Sequence, residues 1–194
     1  EAPPPIADPQ PAFERRWVGQ AVPKFTLRLL ESASANQPQP RTLDDPALKG
    51  KSILLVFWAT WSAPSVEALA EVQTLVEAFD QLGASTLVIA VSSDDDPEEA
   101  TELVAALRAQ LSEAGVKIEH RPSGRLAIDP DQTLLELFEI PALPSLILID
   151  PNGVIKQVDA GGKPGLLGRV LGPDHPAAKA GAARTTETPT NNKR

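Results

Sequence analysis

Cysteine is absent from the 194 residues. Its absence excludes disulfide staples, thiolate metal sites and cysteine nucleophiles. Histidine is nearly absent as well, with His120 and His175 the two imidazoles of the chain. They lie far apart with no partner at ligand spacing, so no metal and no cofactor is expected. There is no run of eighteen apolar residues, so no transmembrane segment is expected in this chain. No signal peptide is visible. The chain starts at Glu1 and contains no Met. That is how a processed chain reads, and an export signal or anchor outside it is left open. Positive charge is in deficit: the net charge of −8 argues against nucleic acid or an anionic membrane as partner.

What is present suffices for one domain, since 42% of the residues are apolar. Residues 1–16 are rich in proline at their start (EAPPPIADPQPA) and read as a flexible linker. Residues 173–194 are polar and nearly free of large apolar side chains, and read as a disordered tail. The domain is expected over 17–172.

Within it, strand and helix patterns alternate. Residues 25–30 read as a first strand, with a short pairing segment near Arg41–Leu43. Ser52–Trp58 and Thr86–Val91 are almost unbroken apolar runs, as strands buried on both faces are. Between them Val66, Leu69, Val72, Leu75, Val76 and Phe79 mark one helix face, closed by Gly83. Leu103, Val104, Leu107 and Leu111 predict a second helix ending at Gly115. Asp131–Phe138 reads as a shorter helical segment. Ser145–Asp150 and Val154–Val158 flank Asp-Pro-Asn-Gly and predict a hairpin. A brief helix is expected around Leu166–Leu171. The fold class is α/β, a mixed sheet with helices on its faces.

The segment Phe57-Trp58-Ala59-Thr60-Trp61-Ser62-Ala63-Pro64-Ser65 joins a buried strand to a helix start. It resembles the Phe-Trp-Ala-x-Trp-Cys-x-x-Cys junction of the thioredoxin superfamily, with serine at both cysteine positions. Thr60 and Pro64 resemble the TlpA-like branch of thiol-disulfide oxidoreductases. Three further segments carry the likeness: Val18–Leu27, Leu48-Lys49-Gly50-Lys51, and Leu143-Pro144-Ser145 with the strand and Asn152-Gly153 turn that follow. The resemblance covers roughly Trp17 to Leu171. It implies a thioredoxin-like fold, a cis peptide bond at Pro144, and an exported location: periplasmic or extracytoplasmic, as family members often are.

The family's chemistry needs sulfur. A helix N-terminus lowers the pKa of the first thiol, the thiolate attacks a disulfide, and the second cysteine resolves the mixed disulfide. A serine hydroxyl has neither that acidity nor a stable counterpart of the disulfide. Ser62 and Ser65 therefore cannot run the cycle. Nor do they read as a hydrolase nucleophile, since there is no G-x-S-x-G elbow and no placed histidine. Ser62 is expected to cap the helix and Ser65 to sit in its first turn. Thioredoxins also carry a buried Asp just before the Phe-Trp pair; here Val56 takes that place.

What the resemblance leaves is a surface. Trp61 and Ala63 beside the altered pair, with Leu143 and Pro144 opposite, are the expected contacts for a protein or an extended peptide. Trp58 is expected in the core. The acidic run Asp94, Asp95, Asp96, Glu98, Glu99 lacks EF-hand spacing and reads as a charged helix start. Two readings account for the serines. In one, a family member without redox activity serves as a binding or scaffold module. In the other, a disulfide reductase of the cytochrome c maturation type has had both cysteines replaced. A peroxiredoxin-like enzyme fits less well, because its peroxidatic cysteine is absent too. The oligomeric state is not legible.

Overall fold

The computed structural model describes residues 8–31, 37–95, 100–162, 165–174 and 179. Among them run α1 (Gln10–Trp17), β1 (Leu27–Leu30), β2 (Gln39–Arg41), β3 (Ser52–Trp58), α2 (Ala63–Leu82), β4 (Thr86–Ser92), α3 (Ala100–Glu113), β5 (Gly124–Ile128), α4 (Thr133–Leu137), β6 (Ser145–Ile149), β7 (Ile155–Ala160) and α5 (Leu166–Leu171). The strands form one sheet in the order β2-β1-β5-β4-β3-β6-β7. The central three, β5, β4 and β3, are parallel, and the outer pairs are antiparallel.

β3 shows why the sheet is covered on both faces. Alternate side chains of a strand point to opposite sides. Leu54, Val56 and Trp58 join the core formed with Leu69, Val72 and Leu75 of α2 and Val104 and Leu107 of α3. Ile53, Leu55 and Phe57 join a second core with Phe13, Trp17, Phe25 and Phe138. Phe138 anchors that side, with Phe25 edge-on at 5.3 Å and Trp17 and Phe57 tilted against it. The Trp17 indole N–H donates to the Phe138 carbonyl at 2.9 Å.

The expected boundary at residue 17 is corrected. Gln10–Trp17 is a helix, and Phe13 and Trp17, one turn apart, are buried. Pro9 and Pro11, read as linker chemistry, stand at the helix start, where the missing N–H costs nothing. The Gln10 amide also covers the outer edge of β7. It donates to the Val158 carbonyl at 2.9 Å and accepts from the Ala160 N–H at 2.8 Å. An exposed strand edge is thereby blocked. Residues 1–7 and most of the expected tail, 173–194, lie outside the described residues.

β5 is an element that periodicity did not signal. Gly124-Arg125 opens it, leaving only Leu126-Ala127-Ile128 as an apolar run. Yet it sits between β1 and β4, near the middle of the sheet. The Asp129 carboxylate that follows accepts from the Leu134 and Leu135 N–H groups and so caps α4. Burial pushes that carboxyl above its ordinary value, against the pull of those two bonds. The β6–β7 hairpin turns on Asp150, whose Oδ1 accepts from Asn152 and Val154, each at 2.9 Å.

Candidate functional site

β3 ends at Trp58, and four residues later Ser62 stands at the N-cap of α2. Trp58 is fully buried. Trp61 projects from the connecting loop and is 68% exposed, although it is a large apolar side chain. Ala63 is also exposed. The loop is held from behind by Asp94, which follows β4. Asp94 accepts from the Thr60 N–H at 3.0 Å and the Thr60 hydroxyl at 2.5 Å, and its other oxygen accepts from the Ser92 hydroxyl at 2.6 Å.

This corrects the reading of the acidic run. Asp94 is only 7% exposed and serves the loop rather than a helix start. Asp96, Glu98 and Glu99 lie outside the described residues. Among the described residues, no group of three or more histidine, aspartate or glutamate side chains could hold a metal ion. Removing the clamp should be costly, because it leaves buried polar groups without partners. Asp94→Ala is expected to lower folding stability by about 2 kcal/mol, and Asp94→Asn by less, since it keeps an acceptor. Urea denaturation of the three chains measures this. Equal midpoints for wild type and Asp94→Ala would remove the clamp from the account.

The two serines face each other. The Ser65 hydroxyl donates to the Ser62 hydroxyl at 2.9 Å. Ser65 is wholly buried, and Ser62 is 8% exposed. Here the structure corrects a second expectation: Ser62 occupies the N-cap, but its side chain makes no capping hydrogen bond. Its backbone carbonyl instead accepts from the N–H groups of Ser65 and Val66. Among the described residues no imidazole stands near. His120 precedes the start of β5, at the opposite end of the parallel strands from the end of β3. A hydroxyl pair with no base beside it has no means of forming an alkoxide at neutral pH.

Pro144 begins the second half of the site. The Leu143–Pro144 peptide bond is cis. Leu143 is half-buried, whereas Pro144 is buried and cannot offer a broad contact surface. Its ring is wedged instead. A Cβ built on Gly162 would lie 2.9 Å from two Pro144 ring carbons and 3.9 Å from Pro64. Gly162 also has φ +61°, so both space and backbone call for glycine. The Gly161 N–H, after β7, donates to the Pro144 carbonyl at 2.9 Å. The first turn of α2 and the proline loop thus meet over Gly162. Between them opens a cavity of about 200 Å³, which Val56, Pro64, Pro144 and Leu166 help to line. The sequence names Asp94, Val56, Pro64 and Pro144, but for other reasons, and predicts neither the clamp nor the cavity. Glu67, Glu71 and Arg169 at the cavity carry no local motif.

Comparison with known proteins places these features. A family model described as Redoxin matches residues 17–169. The thiol-disulfide oxidoreductase ResA of Oceanobacillus iheyensis is 28% identical over 144 residues, covering 74% of this chain and 65% of that protein. The chain therefore spans just under two thirds of that relative's length. The ResA of Bacillus anthracis is 25% identical over 146 residues, covering 75% of this chain and 71% of that protein. Among solved structures, a thiol-disulfide oxidoreductase from Bacteroides fragilis superposes with TM-score 0.59 at 21% identity, covering 78% of this chain and 98% of that one. A putative protein disulfide isomerase from Bacteroides thetaiotaomicron gives TM-score 0.60 at 18% identity, covering 87% and 94%. At such identities the structural likeness speaks for the fold alone.

Proposed function

The chain belongs to the Redoxin family, with a thioredoxin-like fold and no sulfur in it, and on that premise we propose that it binds extended protein segments without turning over disulfides. The observation that carries the reading is the contrast at one loop. The two groups that would have to react are buried and satisfied by each other, while Trp61 beside them is exposed. An exposed tryptophan on a rigidly held loop is a favourable anchor for a protein contact. Leu143 lies on the other loop of the site, where its backbone can pair with an extended chain. A place in the bacterial envelope goes with this reading, through the resemblance to exported proteins of the TlpA-like branch.

Panning a phage-displayed library of unstructured peptides against the chain tests the proposal. Peptides are expected to enrich on the wild type and to lose at least about tenfold in affinity for Trp61→Ala, as for a central aromatic anchor. The exposed Leu82, at the far end of α2, gives the control: Leu82→Ala should leave binding unchanged. No enrichment, or binding equal on Trp61→Ala, would remove the reading.

A second reading has its own support. The serine hydroxyls lie 2.9 Å apart, in the arrangement expected of two near-isosteric replacements for a cysteine pair. On that reading the protein is a thiol-disulfide oxidoreductase whose cysteines were exchanged. The source gene decides it: cysteine codons at positions 62 and 65 establish the exchange, and serine codons exclude it.

A further inference from the structure

Of the four asparagines in the chain, Asn152 alone is followed by glycine. An asparagine side chain can be attacked at its amide carbon by the backbone nitrogen of the next residue. Glycine has no Cβ to hinder the ring that forms. Asn36, Asn191 and Asn192 precede Gln37, Asn192 and Lys193, whose side chains crowd that ring. Asn152 is exposed in the β6–β7 turn, so water and hydroxide reach it.

The turn ties up the groups that such a reaction has to move. The Gly153 N–H, the nucleophile, donates to the Asp150 carbonyl at 3.0 Å. The Gly153 carbonyl accepts from the Val22 N–H at 2.8 Å. On either side, the Asn152 and Val154 N–H groups both donate to Asp150 Oδ1 at 2.9 Å. Lys156 Nζ lies 3.4 Å from Asp150 Oδ2. The bond from Val154, with Asn152 and Lys156 behind it, holds the Asp150 carboxyl below its ordinary value, so it remains a charged acceptor at neutral pH.

We infer that Asn152 is a deamidation site that the Asp150 carboxylate keeps locked in the native turn. A hydrogen-bonded N–H reacts only from an opened form. Once the turn opens, the Gly153 nitrogen gives its proton to hydroxide and bonds to Asn152 Cγ. The Cγ–Nδ2 bond breaks, ammonia leaves, and a succinimide closes. Water then adds to either ring carbonyl. Addition at Cγ gives aspartate. Addition at the Asn152 backbone carbonyl gives isoaspartate, with the chain running through the side chain. The sum is amide plus water to carboxylate plus ammonium, with no electron transferred.

The full chain, incubated at mildly alkaline pH with and without guanidinium chloride, provides the test. Peptide mass spectrometry follows conversion at position 152, and an isoaspartyl methyltransferase serves as the probe for isoaspartate. The native chain is expected to convert at least about tenfold more slowly than the unfolded chain, because hydrogen bonds to a charged acceptor must be given up first. Asp150→Ala, folded by its melting temperature, should convert several-fold faster than the native wild type. Asp150→Asn keeps an acceptor oxygen without the charge and should fall between the two. Its new asparagine precedes Pro151, which has no N–H to attack with, so it adds no second site. If Asp150→Ala does not fold, Asp150→Asn carries the comparison. No conversion at position 152 even in guanidinium chloride overturns the site. Equal rates in the native and unfolded wild type, or a folded Asp150 variant no faster than the wild type, overturn the lock.

Discussion

Ser62→Cys combined with Ser65→Cys is expected to turn a chain without thiol chemistry into one that closes a reversible disulfide and reduces insulin. The argument is geometric. The hydroxyl oxygens already lie 2.9 Å apart. A sulfur–sulfur bond needs about 2.05 Å, and two longer C–S bonds bring the atoms most of that way. Ser62 stands at the N-cap of a twenty-residue helix with no acidic side chain in its first turn. No acidic side chain of the helix's own first turn counters its positive end, which favours a thiolate at position 62. Position 65 is wholly buried and suits the resolving role. Thiol titration should find two groups in the reduced double variant and none after mild oxidation. Insulin reduction with dithiothreitol should rise above the blank for the double variant and stay at the blank for the wild type. Ser62→Cys alone should react with an alkylating probe faster than Ser65→Cys alone. A double variant that folds yet never loses its thiols on oxidation would mean that the serine pair does not preserve the geometry of a dithiol.

The second large effect concerns the fold. Gly124→Ala is expected to destabilise the protein by about 3 kcal/mol, a large part of a total of about 5–15 kcal/mol. A Cβ built on Gly124 would lie 2.0 Å from the Ile118 carbonyl oxygen and 2.9 Å from its carbon. Those are backbone atoms and cannot swing aside. Ile118 is itself fully buried and begins the short 3₁₀ turn Ile118–His120 that leads into β5. Relief requires displacing that turn or pulling Gly124 away from Val88 of β4. Gly168→Ala is the contrast. Its Cβ would meet nothing within 4 Å and it lies inside α5. It should raise stability by about 0.5–1 kcal/mol through reduced chain entropy. Urea midpoints for both variants decide the matter, and an unchanged midpoint for Gly124→Ala would show that the close approach is not rigid.

Most of the architecture can be read from pattern. β3, β4, β6, α2 and α5 fall within a residue or a few of their expected spans, because each carries a strong apolar run or stripe. The failures have specific causes. α1 was hidden by prolines that the first turn of a helix tolerates. β5 was hidden because Gly124 is there for the Ile118 carbonyl and Arg125 for carbonyls nearby, neither of which is close in a pattern of hydrophobicity. The site divides in the same way. Ser62, Ser65 and Trp61 announce themselves through one local motif. Asp94 does not, since a carboxylate in an acidic run looks solvated until the fold brings Thr60 to it.

The absence of cysteine determines by itself that this chain cannot perform the thiol chemistry its family motif describes. No arrangement in space can supply a missing sulfur. The motif around the serines also determines the family and the fold, since strand, tryptophan pair and helix start are local features written in consecutive residues. What only the tertiary structure decides is the state of that site and what adjoins it. The serines bond to each other rather than to a base or a cap. Trp61 stays in solvent because Asp94, thirty-three residues on, holds its loop. The pocket at Pro144 draws Val56, Glu71, Gly162 and Arg169 from four separate parts of the chain. Charge and shape at such a place are sums over distant residues, and they come into being only when the sheet and helices bring those residues together.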